Sequence, residues 1–205
     1  MTRVTSSLRQ LGVALRTLLV MTVLLGLIYP LAITGISRLV LSSKADGSLV
    51  RSGSAAAGSS LIGQLFTDKD GKPLPRYFQT RPSNAGTTGG YDPNASSASN
   101  LGPENKDLVD AVTQRRADVA ALDGVAPDRV PADALTASGS GLDPDISPAY
   151  AMIQVQRVAR ERNLPAAEVE RLVRQNQSGR DLGFIGAAKV NVVRLNLALD
   201  ALGKG

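Results

Sequence analysis

Residues 136 to 147 read Thr-Ala-Ser-Gly-Ser-Gly-Leu-Asp-Pro-Asp-Ile-Ser, which puts one threonine, three serines and two aspartates into twelve residues. Three chemistries could use such a run. Small residues ahead of a helix can expose backbone donors to an anion. However, the phosphate-loop spacing Gly-x-x-x-x-Gly-Lys-Ser/Thr is missing and no lysine follows. Asp143-Pro144-Asp145 resembles the opening of a calcium loop. The sixth position would then be Pro148 rather than glycine and the twelfth Gln154 rather than glutamate, so that reading fails. Neither Ser138 nor Ser140 is the centre of Gly-x-Ser-x-Gly, so there is no nucleophile elbow. A tight structural turn before a helix is the reading that remains favoured. Its rivals are a hydrolase using Asp143 with Asp145 as paired carboxylates and a membrane-anchored extracytoplasmic binding module.

The chain contains no histidine and no cysteine. A Ser-His-Asp triad, a cysteine nucleophile, a His/Cys zinc site and a disulfide framework are therefore excluded. Arg157, Arg160, Arg162, Arg171 and Arg174 give two expected helices a basic side, which reads as a solvated face because Glu161 sits among them.

These residues need a scaffold, and 205 residues suffice for one ordinary domain plus an anchor. Thr17 to Ser37 is 21 residues without a charge. As a helix that run is about 31 Å long, the thickness of a bilayer's hydrocarbon core. A cleaved signal peptide would have a shorter apolar region, about 7–15 residues, so the segment reads as a retained anchor. Arg3, Arg9 and Arg16 precede it without compensation, whereas residues 42–205 hold 19 basic and 18 acidic side chains. The positive-inside rule then places the N-terminus in the cytoplasm and the rest outside it. Near-balanced charge and 3% aromatics weigh against nucleic-acid binding. Pro30 is expected to bend the anchor, and Gly26, Pro30 and Gly35 are expected to form a helix-packing side.

The expected organisation is a cytoplasmic tail over 1–15, a transmembrane helix over 16–38, a flexible tether over 39–60 and an extracytoplasmic domain over 61–205. The fold class is thus one N-terminal transmembrane helix plus a single α+β domain. Leu61–Phe66 reads as a strand, and 84–104 as loop. A helix follows from Asn105, its cap, to about Leu122, with Leu108, Val112, Val119 and Leu122 on one face. Ser147 with Pro148 starts a second helix reaching Arg162. Pro165 starts a third, closed by Ser178-Gly179. Val190–Val193 reads as a strand and Leu195–Leu202 as a terminal helix.

Ordered motifs then carry a resemblance. They are Tyr29-Pro30-Leu31, Gly58-Ser59-Ser60-Leu61-Ile62-Gly63-Gln64, Tyr77-Phe78, Arg81-Pro82-Ser83, Tyr91-Asp92-Pro93, Leu135 through Pro144, Ile146-Ser147-Pro148, Gln154, Arg157 and Val190-Asn191-Val192 through Asp200. Over essentially its whole length the chain resembles the C-subunit family of the bacterial Kdp high-affinity potassium-transporting P-type ATPase. It departs where Asp145 replaces the family's usual histidine, near Asn176, at Gln79-Thr80, at Ser97-Ala98 and at Gln156. The resemblance implies a non-catalytic accessory subunit in the bacterial inner membrane that stabilises assembly and raises the ATP affinity of the pump subunit as a catalytic chaperone. It implies three partners: a potassium-selecting channel-like subunit, an ATP-hydrolysing P-type subunit and a small membrane subunit. It implies association with ATP but no firmly bound cofactor. It also implies binding roles for Thr136, Ser138, Gly139, Ser140, Asp143, Asp145 and Ser147. With so short a cytoplasmic tail, coupling to ATP is expected to travel through the membrane helix.

Overall fold

The computed structural model describes residues 2–87 and 89–202, with side chains from Leu8 onward. The side chain of Arg3 and the last three residues of the expected domain lie outside that range. The chain parts into two compact units, Met1–Ser48 and Leu49–Gly205.

The first unit is helical almost throughout. Helix α1 (Thr2–Val23) runs into a single π-helical turn (Leu24–Ile28), which runs into α2 (Tyr29–Val40). Residues 2–15 of the expected tail are therefore part of the same helix. No side chain from Leu8 to Val40 is buried within the chain. The π turn has a local cause. Pro30 has no N–H, and its ring would collide with the carbonyl four residues back. The helix widens instead: the Tyr29 N–H donates to Leu24 O, five residues earlier. The distortion expected at Pro30 is thus a widened turn. Gly26 lies within it, and a β-carbon there would meet only Thr22 Cγ2, at 3.9 Å; at Gly35 it would meet nothing within 4 Å. Neither glycine is needed for packing inside this chain. A one-turn helix, α3 (Ser42–Ala45), follows.

The second unit opens on a β-hairpin where a tether was expected. Strands β1 (Leu49–Ser52) and β2 (Ala55–Ser59) pair antiparallel, with a bulge at Val50/Arg51 and Gly53 in the left-handed region (φ 62°) at the turn. The segment expected as a strand, 61–66, is irregular. It is held by Gly63 N–H donating to Leu142 O (2.8 Å) and Gln64 Nε2 donating to Ala57 O (2.9 Å). Helix α4 (Lys106–Asp123) is capped by Asn105, whose side chain accepts from Asp107 N–H, and is closed by Gly124. Two short 3-10 turns lead to β3 (Asp145–Ile146) and α5 (Pro148–Arg162), which Ser147 caps. Then come α6 (Ala166–Gln175), β4 (Gln177–Ser178), β5 (Lys189–Asn191) and α7 (Val192–Leu202). The strand order in this second sheet is β3-β5-β4, antiparallel throughout. Helix α6 ends before the expected Ser178-Gly179 because residues 177–178 pair with β5. The terminal strand stops at Asn191, whose side-chain oxygen accepts from Arg194 N–H at 3.1 Å and so starts α7 early.

The core gathers Phe78, Val155, Val158, Val169, Val173, Val190, Val192, Leu195 and Leu199, all 3% exposed or less. Each such side chain contributes about 1.5–3 kcal/mol on burial. The core also holds charge. The Arg157 and Asp123 side chains are each 1% exposed and form an ion pair at 2.7 Å. Arg157 additionally donates to the carbonyls of Pro75 and Tyr77 and to Gln154 Oε1. Burial pushes the Asp123 carboxyl above the ordinary carboxylate range, and the guanidinium draws it part of the way back. The expected basic side of α5 and α6 is accordingly divided. Arg157 is buried, and Arg162 stacks 4.6 Å above the Tyr77 ring and pairs with Asp200 at 2.7 Å. Only Arg160, Arg171 and Arg174 face solvent, beside Glu161, Glu168 and Glu170.

Residues 77–79 belong to no strand. Side-chain amides take the place of one. Asn196 Oδ1 accepts from Phe78 N–H and Asn196 Nδ2 donates to Phe78 O, both at 2.9 Å. Gln154 treats Gln79 likewise, at 2.6 and 3.2 Å. Every buried backbone group must find a partner, and here helices supply them.

Candidate functional site

Residues 136–147 run from the second 3-10 turn through β3 to the cap of α5. The structure therefore brings Thr136, Ser138, Gly139, Ser140, Asp143, Asp145 and Ser147 together. Thr136 Oγ1 donates to Ala132 O at 3.0 Å. Ser138 is buried; its N–H donates to Pro82 O (3.0 Å) and its Oγ accepts from Gly141 N–H (3.1 Å). Ser140 Oγ accepts from Leu142 N–H at 3.1 Å, and Ser140 O accepts from Ser96 Oγ and Ser97 N–H at 2.8 and 3.0 Å. Gly139 is exposed, with open space around it. Gly141 has φ 71°, and a β-carbon there would lie 2.7 Å from both Ala85 Cβ and Ser97 O. Only glycine admits that approach. The turn is thus locked against residues 82–97.

The carboxylates are engaged. Asp143 Oδ2 pairs with Arg81 Nη1 at 3.1 Å, while its Oδ1 accepts from Asp145 N–H at 3.0 Å. Asp145 Oδ2 pairs with Lys189 Nζ at 2.7 Å, and its Oδ1 accepts from Asn191 Nδ2 at 3.1 Å. The hydrogen bond and charge of Asp145 raise the Lys189 ammonium above its usual range. Ser147 Oγ donates to Asp133 Oδ1 (2.9 Å) and accepts from Tyr150 N–H (3.0 Å), so Asp133 orients the helix cap. Tyr91 Oη lies 3.1 Å from the carbonyls of both Arg81 and Asp143. Burial pushes that phenol up to about 12.

Each hydroxyl of the turn bonds a backbone group, its neighbour or Asp133. Asp143 and Asp145 each face a cation, and the Asp133 carboxylate takes both the N–H and the hydroxyl of Ser147. A polar cavity of about 330 Å³ opens between the turn and the β5 side, lined by Arg81, Asp133, Asp143, Asp145, Ser147 and Lys189. A larger one, about 540 Å³, is walled by Leu65, Pro73, Arg81, Val119, Leu122 and Tyr150, and none of the seven turn residues lines it. Sequence reasoning missed Asp133, Tyr91 and Lys189. Tyr91 and Lys189 reach the turn across the fold, and Asp133, just ahead of it, folds back on Ser147 at its far end. A site with two aspartates does call for cations, and that was the available signal for Arg81 and Lys189.

Fold and site define a class: one N-terminal helix long and apolar enough to cross a membrane, joined to a small α+β domain whose polar turn is tied into its own structure. The family model for the c chain of K+-transporting ATPase (KdpC) matches residues 11–201, and the chain belongs to that family. It is similar to the potassium-transporting ATPase KdpC subunit of Kineococcus radiotolerans, 54% identical over 195 residues, covering 95% of each chain. It is 50% identical over 194 residues to the subunit of the same name from Beijerinckia indica, covering 95% of this chain and 94% of that one. Against the Mycobacterium tuberculosis H37Rv subunit the identity is 48% over 195 residues, covering 95% and 99%.

Proposed function

We propose that the chain is a non-catalytic accessory subunit of an ATP-driven, high-affinity potassium import complex, and that it stabilises the assembly and raises the ATP affinity of the ATP-hydrolysing subunit. The observation that carries this is the family match, which runs through both the apolar helix and the domain. Its partners are a potassium-selecting channel-like subunit, a P-type ATP-hydrolysing subunit and a small membrane subunit. The engaged state of Ser138, Ser140, Asp143 and Asp145 supports a supporting role for the turn: it is a rigid surface for a partner. Influence on ATP passes through the membrane helix, with Gly26, Pro30 and Gly35 as positions of close approach to partner helices. Affinity purification of the full chain in mild detergent is expected to recover all three partners. Omitting the chain is expected to raise the ATP concentration needed for half-maximal hydrolysis. An eluate without partners would remove the subunit reading, and an unchanged ATP dependence would remove the chaperone role.

We infer that the domain lies outside the cytoplasm; the uncompensated Arg3, Arg9 and Arg16 ahead of the apolar segment support that orientation. Ser54 sits exposed at the β1–β2 turn in a chain without cysteine. The variant Ser54→Cys is expected to react with a membrane-impermeant thiol reagent in cells whose inner membrane is intact. Protection until that membrane is opened would reverse the orientation.

A further inference from the structure

Helix α4 and residues 79–83 border the larger cavity, about 540 Å³, which the turn residues do not line. Leu65, Pro73, Val119 and Leu122 make much of its wall apolar, and a cavity of that size suits a small molecule. Three polar groups on the wall have bonding capacity that the chain leaves unused. Tyr150 is 3% exposed, and its hydroxyl has no hydrogen-bond partner among the described residues. Gln79 is 9% exposed; its Nε2 donates to the carbonyls of Phe66, Leu74 and Tyr77, and among the described residues no donor reaches its Oε1. Three carbonyls around one end of the amide fix that end as the nitrogen. Arg81 gives Nη1 to Asp143 and Nη2 to Thr136 O, yet its Nε is buried without an acceptor. Buried polar groups are almost always paired, so three with unused capacity around one cavity mark a place that a ligand completes.

The three groups decide the chemistry of the occupant. Arg81 Nε can only donate, Gln79 Oε1 can only accept, and the Tyr150 hydroxyl can do either. Burial pushes the Tyr150 phenol up, so it stays neutral. The charges on the wall cancel: Arg81 is paired with Asp143 at 3.1 Å, and Arg115 stands three positions from Asp118 on α4. A phosphate or carboxylate would find no net positive field there and would face the Gln79 oxygen. A primary carboxamide carries a carbonyl acceptor and N–H donors on one flat, uncharged head. We propose that this cavity binds a small neutral carboxamide with an apolar body, its carbonyl accepting from Tyr150 and Arg81 and its amide nitrogen donating to Gln79. The site is separate from the turn and does not depend on the subunit reading.

The probe is benzamide, titrated into the full chain in mild detergent while the methyl signals of Leu65, Val119 and Leu122 are followed by NMR. Those signals are expected to move and to saturate. Benzoate, the same ring with a charged head, is expected to bind at least about tenfold more weakly. Tyr150→Phe is expected to weaken benzamide about tenfold. Its thermal unfolding is expected to be unchanged, because the hydroxyl has no partner in the chain to lose. Ala121→Trp, at an exposed position of α4 on the cavity wall, is expected to abolish binding. Static methyl signals overturn the proposal, as does benzoate binding as tightly as benzamide or an unaltered affinity in Tyr150→Phe. A lower unfolding temperature for Tyr150→Phe would make the hydroxyl a structural group and overturns it too. Binding retained in Ala121→Trp would place the probe elsewhere, with the same result. The titration is then repeated with the other subunits of the complex present. Retained binding supports the site, and lost binding would make a partner's side chain the occupant and overturn the assignment.

Discussion

Arg157→Met is expected to destabilise the C-terminal domain by about 3–5 kcal/mol, a large share of the ~5–15 kcal/mol that holds an ordinary domain together. The side chains of Arg157 and Asp123 are both 1% exposed, so water cannot replace the lost partner. The substitution leaves a buried carboxylate and frees the carbonyls of Pro75 and Tyr77. Urea or thermal unfolding of the full chain in detergent measures the effect. The loss has a pH signature. Burial already raises the Asp123 carboxyl, and without Arg157 nothing on the ion-pair side opposes that rise. A raised carboxyl binds its proton more readily when folded. Its deficit is therefore small below its ordinary value of 3.8 and grows as pH rises through the higher, folded value. A deficit independent of pH would show that packing, not charge, is what Arg157 supplies. Adding Asp123→Asn to Arg157→Met is expected to restore part of the stability near neutral pH, because the unpaired charge goes with it.

Replacing residues 17–37 by an unrelated poly-leucine helix is expected to abolish growth at limiting potassium, although the chain is still held at the membrane. A mere tether needs only apolar length. This helix carries a π-helical turn at Leu24–Ile28 and two glycines, Gly26 and Gly35, whose surroundings within the chain are open. Lipid offers no hydrophobic drive between helices, so close approach at small residues is what brings them together. A widened turn also re-aims the side chains on either side of it. Growth and co-purification of the pump subunits would be scored with the native anchor, the poly-leucine anchor and a secreted version lacking any anchor. Full rescue by poly-leucine would reduce the helix to a tether. Partial rescue would divide the role, with concentration at the membrane supplying the remainder.

What the sequence made legible is what is decided locally. The anchor is plain because its apolar run has no polar stripe. Asn105 and Ser147 announce their helices because a cap is a contact between near neighbours, and the structure shows both side chains accepting from the first turn. The hairpin at 49–59 was not legible: Ala-Ala-Ala-Gly-Ser has no alternation, and backbone pairing leaves no trace in side-chain chemistry. Residues 61–66 misled in the opposite sense, since they are apolar without having a strand to pair with. Val192 and Val193 looked like more strand because β-branched residues suit strands, but Asn191 caps a helix there. Arg157 sat in a run of arginines that read as a solvated face, and its partner is on another helix, 34 positions away. The turn at 136–147 was legible as a turn. The cations and the tyrosine that hold it come from distant segments that only the fold assembles.

The amide clasps on residues 77–79 bear on the order of assembly. Gln154 and Asn196 reach back across 75 and 118 positions to hold Gln79 and Phe78. Contacts so far apart in sequence form late, after the intervening chain has closed its loops. A chain emerging from its N-terminus therefore leaves the Phe78 backbone to water until α7, the last described element, has arrived. The domain has no half-finished state in which its first half is complete. Its final helix is the latch, and until that latch is home the Tyr77–Gln79 segment is exposed to proteases and chaperones on whichever side of the membrane it emerges.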